Sequence, residues 1–307
     1  MTISFENRVA IVTGAGNGLG KAYALELARR GAKVVVNDLG GARDGSGGSE
    51  GAAQAVAAQI EADGGEAIAN SCSVTDEEGI AAMVEEAKER WGRIDVLINN
   101  AGILKDKSFA KMSIDEFRAV VEVHLIGSAI CTKAVWETMR EQNYGRIVLT
   151  SSASGIYGNF GQANYGAAKM ALVGLMQTLA IEGEKYDIRV NCLAPTAATQ
   201  MTAGVLSDEG LRHLDPAKVS PGLLALVGEA APTRSILCAG AGHFACANVT
   251  LTEGRLIGDA ADAGEQLVAH WDAVSDRTGE IIPAYGFTQA ERELASAGTK
   301  VDVLAVH

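Results

Sequence analysis

The first forty residues restrict the fold more than any other stretch. Arg8–Thr13 (RVAIVT) is a short, β-branched apolar run, the pattern of a strand buried on both faces. Gly14-Ala-Gly-Asn-Gly-Leu-Gly20 follows, and then a helical pattern with Leu19, Tyr23, Leu27 and Ala28 on one side. Lys33–Asn37 (KVVVN) reads as the next strand, and Asp38 closes it. Strand, glycine-rich turn, helix, strand and acid, in that order, describe a unit that receives a dinucleotide. The glycines allow a tight turn and close backbone approach, the helix N-terminus faces a pyrophosphate, and the acid accepts from ribose hydroxyls. Gly14, Gly16, Asn17, Gly18, Leu19, Gly20 and Asp38 are therefore expected at the cofactor. A carboxylate at Asp38 repels a 2′-phosphate and the turn holds no Arg or Lys, so NAD is expected rather than NADP. Arg43, the one nearby cation, reads as a loop residue.

The alternation continues. Glu66–Asn70 is a weak strand pattern, and Asp76–Trp91 is an amphipathic helix with Ile80, Met83, Val84 and Ala87 on one face and Thr75 as its cap. Ile94–Ile98 (IDVLI) is another buried strand, closed by Asn99-Asn100-Ala101-Gly102. Ile147–Thr150 and Ile188–Leu193 follow the same pattern, and Arg234–Ala239 reads as a last strand. The expected fold class is α/β: a Rossmann-type, doubly wound parallel sheet in a single domain with a C-terminal helical extension. Ligands of such sheets lie off the carboxyl ends of the strands. Gly14–Gly20, Asn99–Gly102 and Ser151–Ser152 all follow strands, so all three should converge on one crevice.

Ser152, Tyr165 and Lys169 carry the candidate chemistry. Tyr165 and Lys169 are four residues apart, which on a helix puts both side chains on one face. A nearby ammonium favours phenolate over phenol, and a phenol tuned that way exchanges a proton with a carbinol oxygen. Ser152, on the loop after a strand, is placed to hold that oxygen. Taken alone the Tyr–Lys pair also fits a solvated surface pair; the strand ends around it give it weight.

Composition narrows the partners. The 307 residues are 48% apolar and 21% charged, ordinary for a core-forming chain with room for one large α/β domain or two small ones. A net charge of −12 argues against nucleic acid and anionic membrane as partners. Cys72, Cys131, Cys192, Cys238 and Cys246 are scattered without a C-x-x-C, which reads as reduced thiols and no metal site. The first residues lack a signal pattern, no apolar run looks long enough to span a bilayer, and the last residues are not a peroxisomal address of the S-K-L kind. The expected location is cytoplasmic.

TGAGNGLG, NNAG, and Ser152 with YGAAK thirteen residues on resemble the short-chain dehydrogenase/reductase family over roughly residues 6 to 255. The resemblance implies hydride transfer between NAD(P) and a secondary alcohol or ketone, often in a homodimer or homotetramer. It implies Tyr165 as general acid/base, Lys169 on the nicotinamide ribose and depressing the tyrosine pKa, and Ser152 on the carbonyl. Asn99 would support the cofactor side of the sheet. Asn100, Ala101, Gly102, Ser73, Val74, Pro195 and Thr199 would join the cofactor contacts. Three places depart from the family pattern: His124 stands where an Asn completes a catalytic tetrad, Ser73 where an adenine-facing Asp is usual, and Thr-Ala-Ala-Thr follows Pro195. His124 fits a proton relay or a buried helix histidine bonded to backbone. VVVNDLGG with its glycine-rich insertion, NNAGILKDKSFAKMS, VHLIG and SSASGIYGNFGQANY are similar to the (3R)-hydroxyacyl-CoA dehydrogenase unit of peroxisomal multifunctional enzymes and its stand-alone bacterial relatives. An acyl-CoA thioester is then the expected substrate, with a hydroxysteroid or general secondary alcohol as the alternative; a non-catalytic dinucleotide sensor has no use for Ser152, Tyr165 and Lys169.

The expected division is a catalytic domain over residues 1–255 and an extension over 256–307. Gln162–Tyr186 reads as a long helix, Thr199–His213 as a polar loop able to flap over substrate, and Pro216–Leu226 as a helix. Ala260–Ser275 and Thr288–Ala297 look helical; a plain surface extension and a lid or intersubunit arm are both open.

Overall fold

A computed structural model describes residues 3–199 and 207–299. The β-branched runs become strands β1 (Val9–Thr13), β2 (Lys33–Asn37), β3 (Ala67–Asn70), β4 (Val96–Asn99), β5 (Gly145–Thr150), β6 (Ile188–Thr196), β7 (Ile236–Gly240) and β8 (His243–Ala247). Between them lie α1 (Gly18–Arg29), α2 (Gly51–Ala62), α3 (Glu77–Trp91), α4 (Ile114–Val121), α5 (Gly127–Gln142), α6 (Ala153–Tyr157), α7 (Ala163–Gly183), α8 (Asp208–His213) and α9 (Ser220–Val227). The sheet order is β3-β2-β1-β4-β5-β6-β7-β8. β1 pairs in parallel with β2 on one side and with β4 on the other, so the winding reverses there. That reversal opens a crevice at the carboxyl ends of β1 and β4. Every residue of β1, β4 and β5 is buried, as strands covered by helices on both faces must be. The opposite, amino end is closed by charge: the fully buried Asp95 carboxylate accepts from Arg8 at 2.9 Å and Arg93 at 2.6 Å.

Four expectations need correction. The strand at Arg234–Ala239 is not the last. Ala241 (φ 52) and Gly242 (φ 83) make a two-residue turn that leads into β8. A link that short joins only antiparallel neighbours, so the sheet is parallel from β3 to β7 with a reversed edge. The cap of α3 is Asp76, whose carboxylate accepts from Gly79 N at 3.0 Å, not Thr75. The Thr75 hydroxyl is instead within 2.8 Å of that of Ser73. The continuous helical run Ile114–Gln142 reaches a mean hydropathy of 1.3 over an 18-residue window, so by length and composition it could cross a bilayer. Here it packs on β4, β5 and α7, which accounts for its apolar stripe. Of the expected loop Thr199–His213, residues 208–213 are helical and residues 200–206 lie outside the described ones. α2 has no counterpart in the sequence reading. Its alanine-rich face (Ala53, Val56, Ala57, Ile60) is apolar without a marked stripe.

The chain divides into two compact units, Met1–Cys246 and Ala247–His307. The second contains α10 (Ala263–Ala269), α11 (Trp271–Ser275) and α12 (Thr288–Ser296). The helical pattern over Ala260–Ser275 is thus two helices, broken at His270 (φ −110). An antiparallel bridge joins Leu251 to Ile281, and Arg292 donates to the carbonyls of Leu251 at 3.3 Å and Thr252 at 2.7 Å. Beyond Ala247 none of the described residues of this unit is buried, so the described residues form no hydrophobic core of their own.

Candidate active site

The glycine-rich turn is held from two sides. Gly14 has φ +64 and packs so closely on Ala101 that a Cβ would sit 2.8 Å from the Ala101 Cα. Asn100 explains the contact: its side-chain amide donates to the carbonyls of Thr13 at 3.0 Å and Gly14 at 3.1 Å. The Thr13 hydroxyl in turn accepts from the backbone N–H of Asn100 at 3.0 Å and Ala101 at 3.1 Å. The ends of β1 and β4 are thereby buttoned together. On the other side the Asp38 carboxylate accepts from Gly16 N and Gly40 N, each at 2.7 Å. α1 starts at Asn17 without a side-chain cap, leaving its first N–H groups for a ligand.

These elements enclose a cavity of about 600 Å³. Gly14, Asn17, Gly18, Leu19, Asp38, Ser73, Val74, Asn100, Ala101, Gly102 and Thr199 line it. Gly16, Gly20 and Pro195 do not; Gly16 and Gly20 shape the turn behind it, and Pro195 is in β6 beside Ala239. Donors at a helix N-terminus, a carboxylate at the β2 end and a cleft of this size suit a nicotinamide dinucleotide. Arg43 and Lys105 also line the cavity, so Arg43 is a loop residue that faces the cofactor side. Its carbonyl accepts from Leu104 N at 3.0 Å.

Beyond the Gly102–Ile103 end of the cavity lies the proposed chemistry. Ser152 caps α6, its hydroxyl accepting from Ser154 N at 3.2 Å. Tyr165 stands in the first turn of α7 and Lys169 one turn on. The Lys169 ammonium is buried, donates to the Thr150 carbonyl at 2.5 Å, and lies 5.5 Å from the centre of the Tyr165 ring. Burial lowers its pKa to about 7. The expected depression of Tyr165 is not what the surroundings produce. Burial pushes the phenol up, outweighing the Ser152 hydroxyl that pulls it down. The physical reason is that Lys169 aims at a backbone carbonyl, and burial moves an acid and a base towards their neutral forms together.

His124 lies in a π-helical segment, Glu122–Ile126, between α4 and α5. Such wide turns are frequent at functional sites. Its ring is buried and meets Tyr165 edge-on, 5.2 Å between centres. Nε2 is 2.8 Å from the Ile103 carbonyl oxygen and 3.1 Å from the Ile103 nitrogen; Nδ1 has no partner among the described residues. Burial, and then the Lys169 charge, hold its pKa well below 6.5, so it is neutral. Gly102 belongs to this arrangement as much as to the cofactor cleft, because a Cβ there would run into the His124 ring. Asn99 does not reach the cleft; its amide donates to the Thr132 hydroxyl at 3.0 Å.

Two residues near the site make backbone bonds that the sequence does not assign, although Ser151 was already expected at this strand end. Asn164 is fully buried, donates to the Lys105 carbonyl at 3.0 Å and accepts from Tyr165 N at 2.7 Å. Ser151 donates to the Lys169 carbonyl at 2.9 Å. Adjacency in the motif, Asn164 before the tyrosine and Ser151 before the serine, is the cue that could have found them.

A serine, a phenol and an amine grouped beside a dinucleotide cleft can move a proton at a carbinol oxygen, and this defines an oxidoreductase acting on CH–OH groups. Residues 8–210 match the model of the short chain dehydrogenase family, and the chain belongs to that family. It is 45% identical over 281 residues to a short-chain type dehydrogenase/reductase of Mycobacterium tuberculosis, covering 91% of this chain and 98% of that one. It is 53% identical over 243 residues to the peroxisomal hydratase-dehydrogenase-epimerase of Saccharomyces cerevisiae, covering 79% of this chain but 27% of that protein. The full-length peroxisomal multifunctional enzyme type 2 of Drosophila melanogaster superposes with a TM-score of 0.79 at 37% identity, over 96% of this chain and 50% of that one. The chain therefore spans about a quarter of the yeast protein and half of the fly protein.

Proposed function

We propose that this chain is an NAD-dependent dehydrogenase of (3R)-hydroxyacyl-CoA thioesters. The observation that carries the reading is the combination of the Ser152–Tyr165–Lys169 group with extended similarity to a protein named as a hydratase-dehydrogenase-epimerase. Tyr165 takes the proton of the substrate hydroxyl. Ser152 holds the same oxygen through its hydroxyl. Lys169, in its ammonium form 5.5 Å from the Tyr165 ring, offsets part of what burial costs the phenolate and reaches the nicotinamide ribose. The nicotinamide, when bound, supplies the hydride acceptor. The residues lining the cleft, with Gly16, Gly20 and Pro195 behind it, make up the cofactor site. Asp38 supports NAD over NADP, since its carboxylate would face a 2′-phosphate.

His124 serves as the proton relay from Tyr165. Either tautomer of its ring keeps a bond at Nε2, donating to the Ile103 carbonyl or accepting from the Ile103 N–H, so Nδ1 is able to give or take a proton. The catalytic domain runs over residues 1–255, and residues 256–307 form a lid or an intersubunit arm. Exposed Val268, Trp271, Ile282 and Phe287 support a docking role for that segment. The working unit is a homodimer or homotetramer in a reducing, cytoplasmic setting; five free thiols are in keeping with it.

The test is NADH formation by the purified protein with separate (3R)- and (3S)-hydroxyacyl-CoA enantiomers and a steroid alcohol as control. Turnover of the R thioester alone is expected. Activity confined to the steroid would keep the mechanism and discard the CoA substrate. Tyr165→Phe is expected to lose nearly all turnover while still binding NAD; a variant retaining about a tenth of the rate would remove Tyr165 from its role.

A further inference from the structure

We propose that Ser151 is the positioning residue for Lys169, fixing the lysine backbone so that its side chain meets the Thr150 carbonyl beside Tyr165. The inference rests on the site reading above but stands on its own geometry. Lys169 is held by the end of β5 at two points. The Ser151 hydroxyl donates to its carbonyl oxygen at 2.9 Å, and its own ammonium donates back to the Thr150 carbonyl at 2.5 Å. Ser151 is 1% exposed, so its hydroxyl exchanges with no solvent and the bond is not diluted by competition with water. Ser151 N is itself fixed, donating to Leu193 O of β6 at 2.8 Å.

A third contact comes from α6. A Cβ on Gly155 would sit 2.7 Å from the Lys169 Cβ and 2.9 Å from its carbonyl carbon. The two helices therefore touch backbone to backbone at the one residue whose placement matters. Packing sets which face of α7 is buried, since Asn164, Ala168, Lys169, Leu172, Val173 and Met176 recur at helical spacing, but apolar packing is non-directional and does not by itself hold Lys169 against one carbonyl. The hydrogen bond at Lys169 and the close glycine contact add a directional restraint to that packing at this one residue. The neighbouring serines therefore divide the labour: Ser152 faces the substrate oxygen, and Ser151 faces the helix that carries the base.

The titratable groups facing the Lys169 ammonium are Tyr165, His124 and Cys192. With the pin removed, the ammonium loses part of its bond to Thr150 and its neutral form gains. The experiment is a 13C NMR titration of lysine-labelled protein without substrate, with Lys169→Met to assign the signal. Ser151→Ala is expected to lower the Lys169 midpoint by about one pH unit, the share a single charge-assisted hydrogen bond sustains. Ser151→Thr, which keeps a hydroxyl, is expected to return it most of the way. Gly155→Ala, which pushes on the same residue from α6, is expected to move it in the same direction as Ser151→Ala. An unmoved midpoint in a folded Ser151→Ala protein overturns the proposal whether or not any alcohol is turned over. In the enzyme assay, the acid limb of kcat/KM should shift to higher pH in Ser151→Ala, with a loss of about tenfold near neutrality. A uniform loss at every pH with a lowered Tm would reduce Ser151 to a stabilising residue. Wild-type protein inert towards secondary alcohols but showing the NMR shift would sink the catalytic reading and leave the positioning intact.

Discussion

Gly102→Ala should be far more damaging than a glycine-to-alanine change at an ordinary strand end. Gly102 does not need a left-handed conformation, so alanine's backbone preferences are not the issue. The cost is steric: the new Cβ would stand 2.8 Å from His124 Nδ1 and 2.9 Å from Nε2, inside the ring's contact distance on both sides. The buried ring has no slack, so either it leaves or the Gly102–Ile103 backbone moves. Overpacking of a filled core costs about 1–3 kcal/mol. Parting Nε2 from Ile103 leaves a buried polar group unmet, for about 1 kcal/mol or more. The sum is about 3 kcal/mol, which for a chain of this size lowers Tm by about 5 °C. Thermal unfolding followed by circular dichroism would read it. A double-mutant cycle isolates the cause. In a His124→Ala background the space vacated by the ring accepts the new methyl, and Gly102→Ala should then cost less than about 1 kcal/mol. An equal loss in both backgrounds would show that the ring contact is not what makes glycine necessary there.

Three further outcomes follow from individual groups. The Tyr23 hydroxyl is buried in the core without a hydrogen-bond partner among the described residues, so Tyr23→Phe should stabilise the protein by about 1 kcal/mol and raise Tm by about 1–2 °C; a lower Tm would mean that the hydroxyl is satisfied. Folded His124 stays neutral well below 6.5 while the unfolded chain protonates near that value, so the unfolded state binds more protons as pH falls. Stability should therefore decline below pH 6.5 with a component that disappears in His124→Phe, as chemical denaturation at successive pH values would show. Asp38→Ser removes the carboxylate that ties Gly16 to Gly40. The KM for NAD should rise about tenfold and the preference over NADP should shrink; unchanged kinetics with both cofactors would exclude Asp38 from cofactor choice.

Much of the site was legible because its signals are local. The turn Gly14–Gly20 announces itself by glycine spacing between two apolar runs, and Tyr165 and Lys169 by a separation of four. Ser151 was legible as part of a strand end but not by role, and Asn164 not at all, because a buried serine or asparagine next to a motif looks like any other until the carbonyl it bonds is known. The β7–β8 turn was missed because Ala241 takes a left-handed conformation that its residue type does not advertise. Asp76 displaced Thr75 as a cap for a similar reason: both residue types are good caps, and only the path of the chain selects between them.

The order of apolar runs, glycines and acids along the chain was enough to establish the class of sheet and to pick out Gly14–Gly20, Asn99–Gly102 and Ser152, Tyr165 and Lys169 as the candidate site. These follow from backbone sterics and side-chain periodicity, which act over a few residues. Tertiary structure alone decided the electrostatic state of the site. Whether Lys169 depresses Tyr165 depends on where a buried ammonium finds its partner, and it finds the Thr150 carbonyl. Whether His124 is charged depends on desolvation by elements far from it in sequence. Charge energies depend on distance and burial in three dimensions, and neither is written in the spacing of residues along a chain.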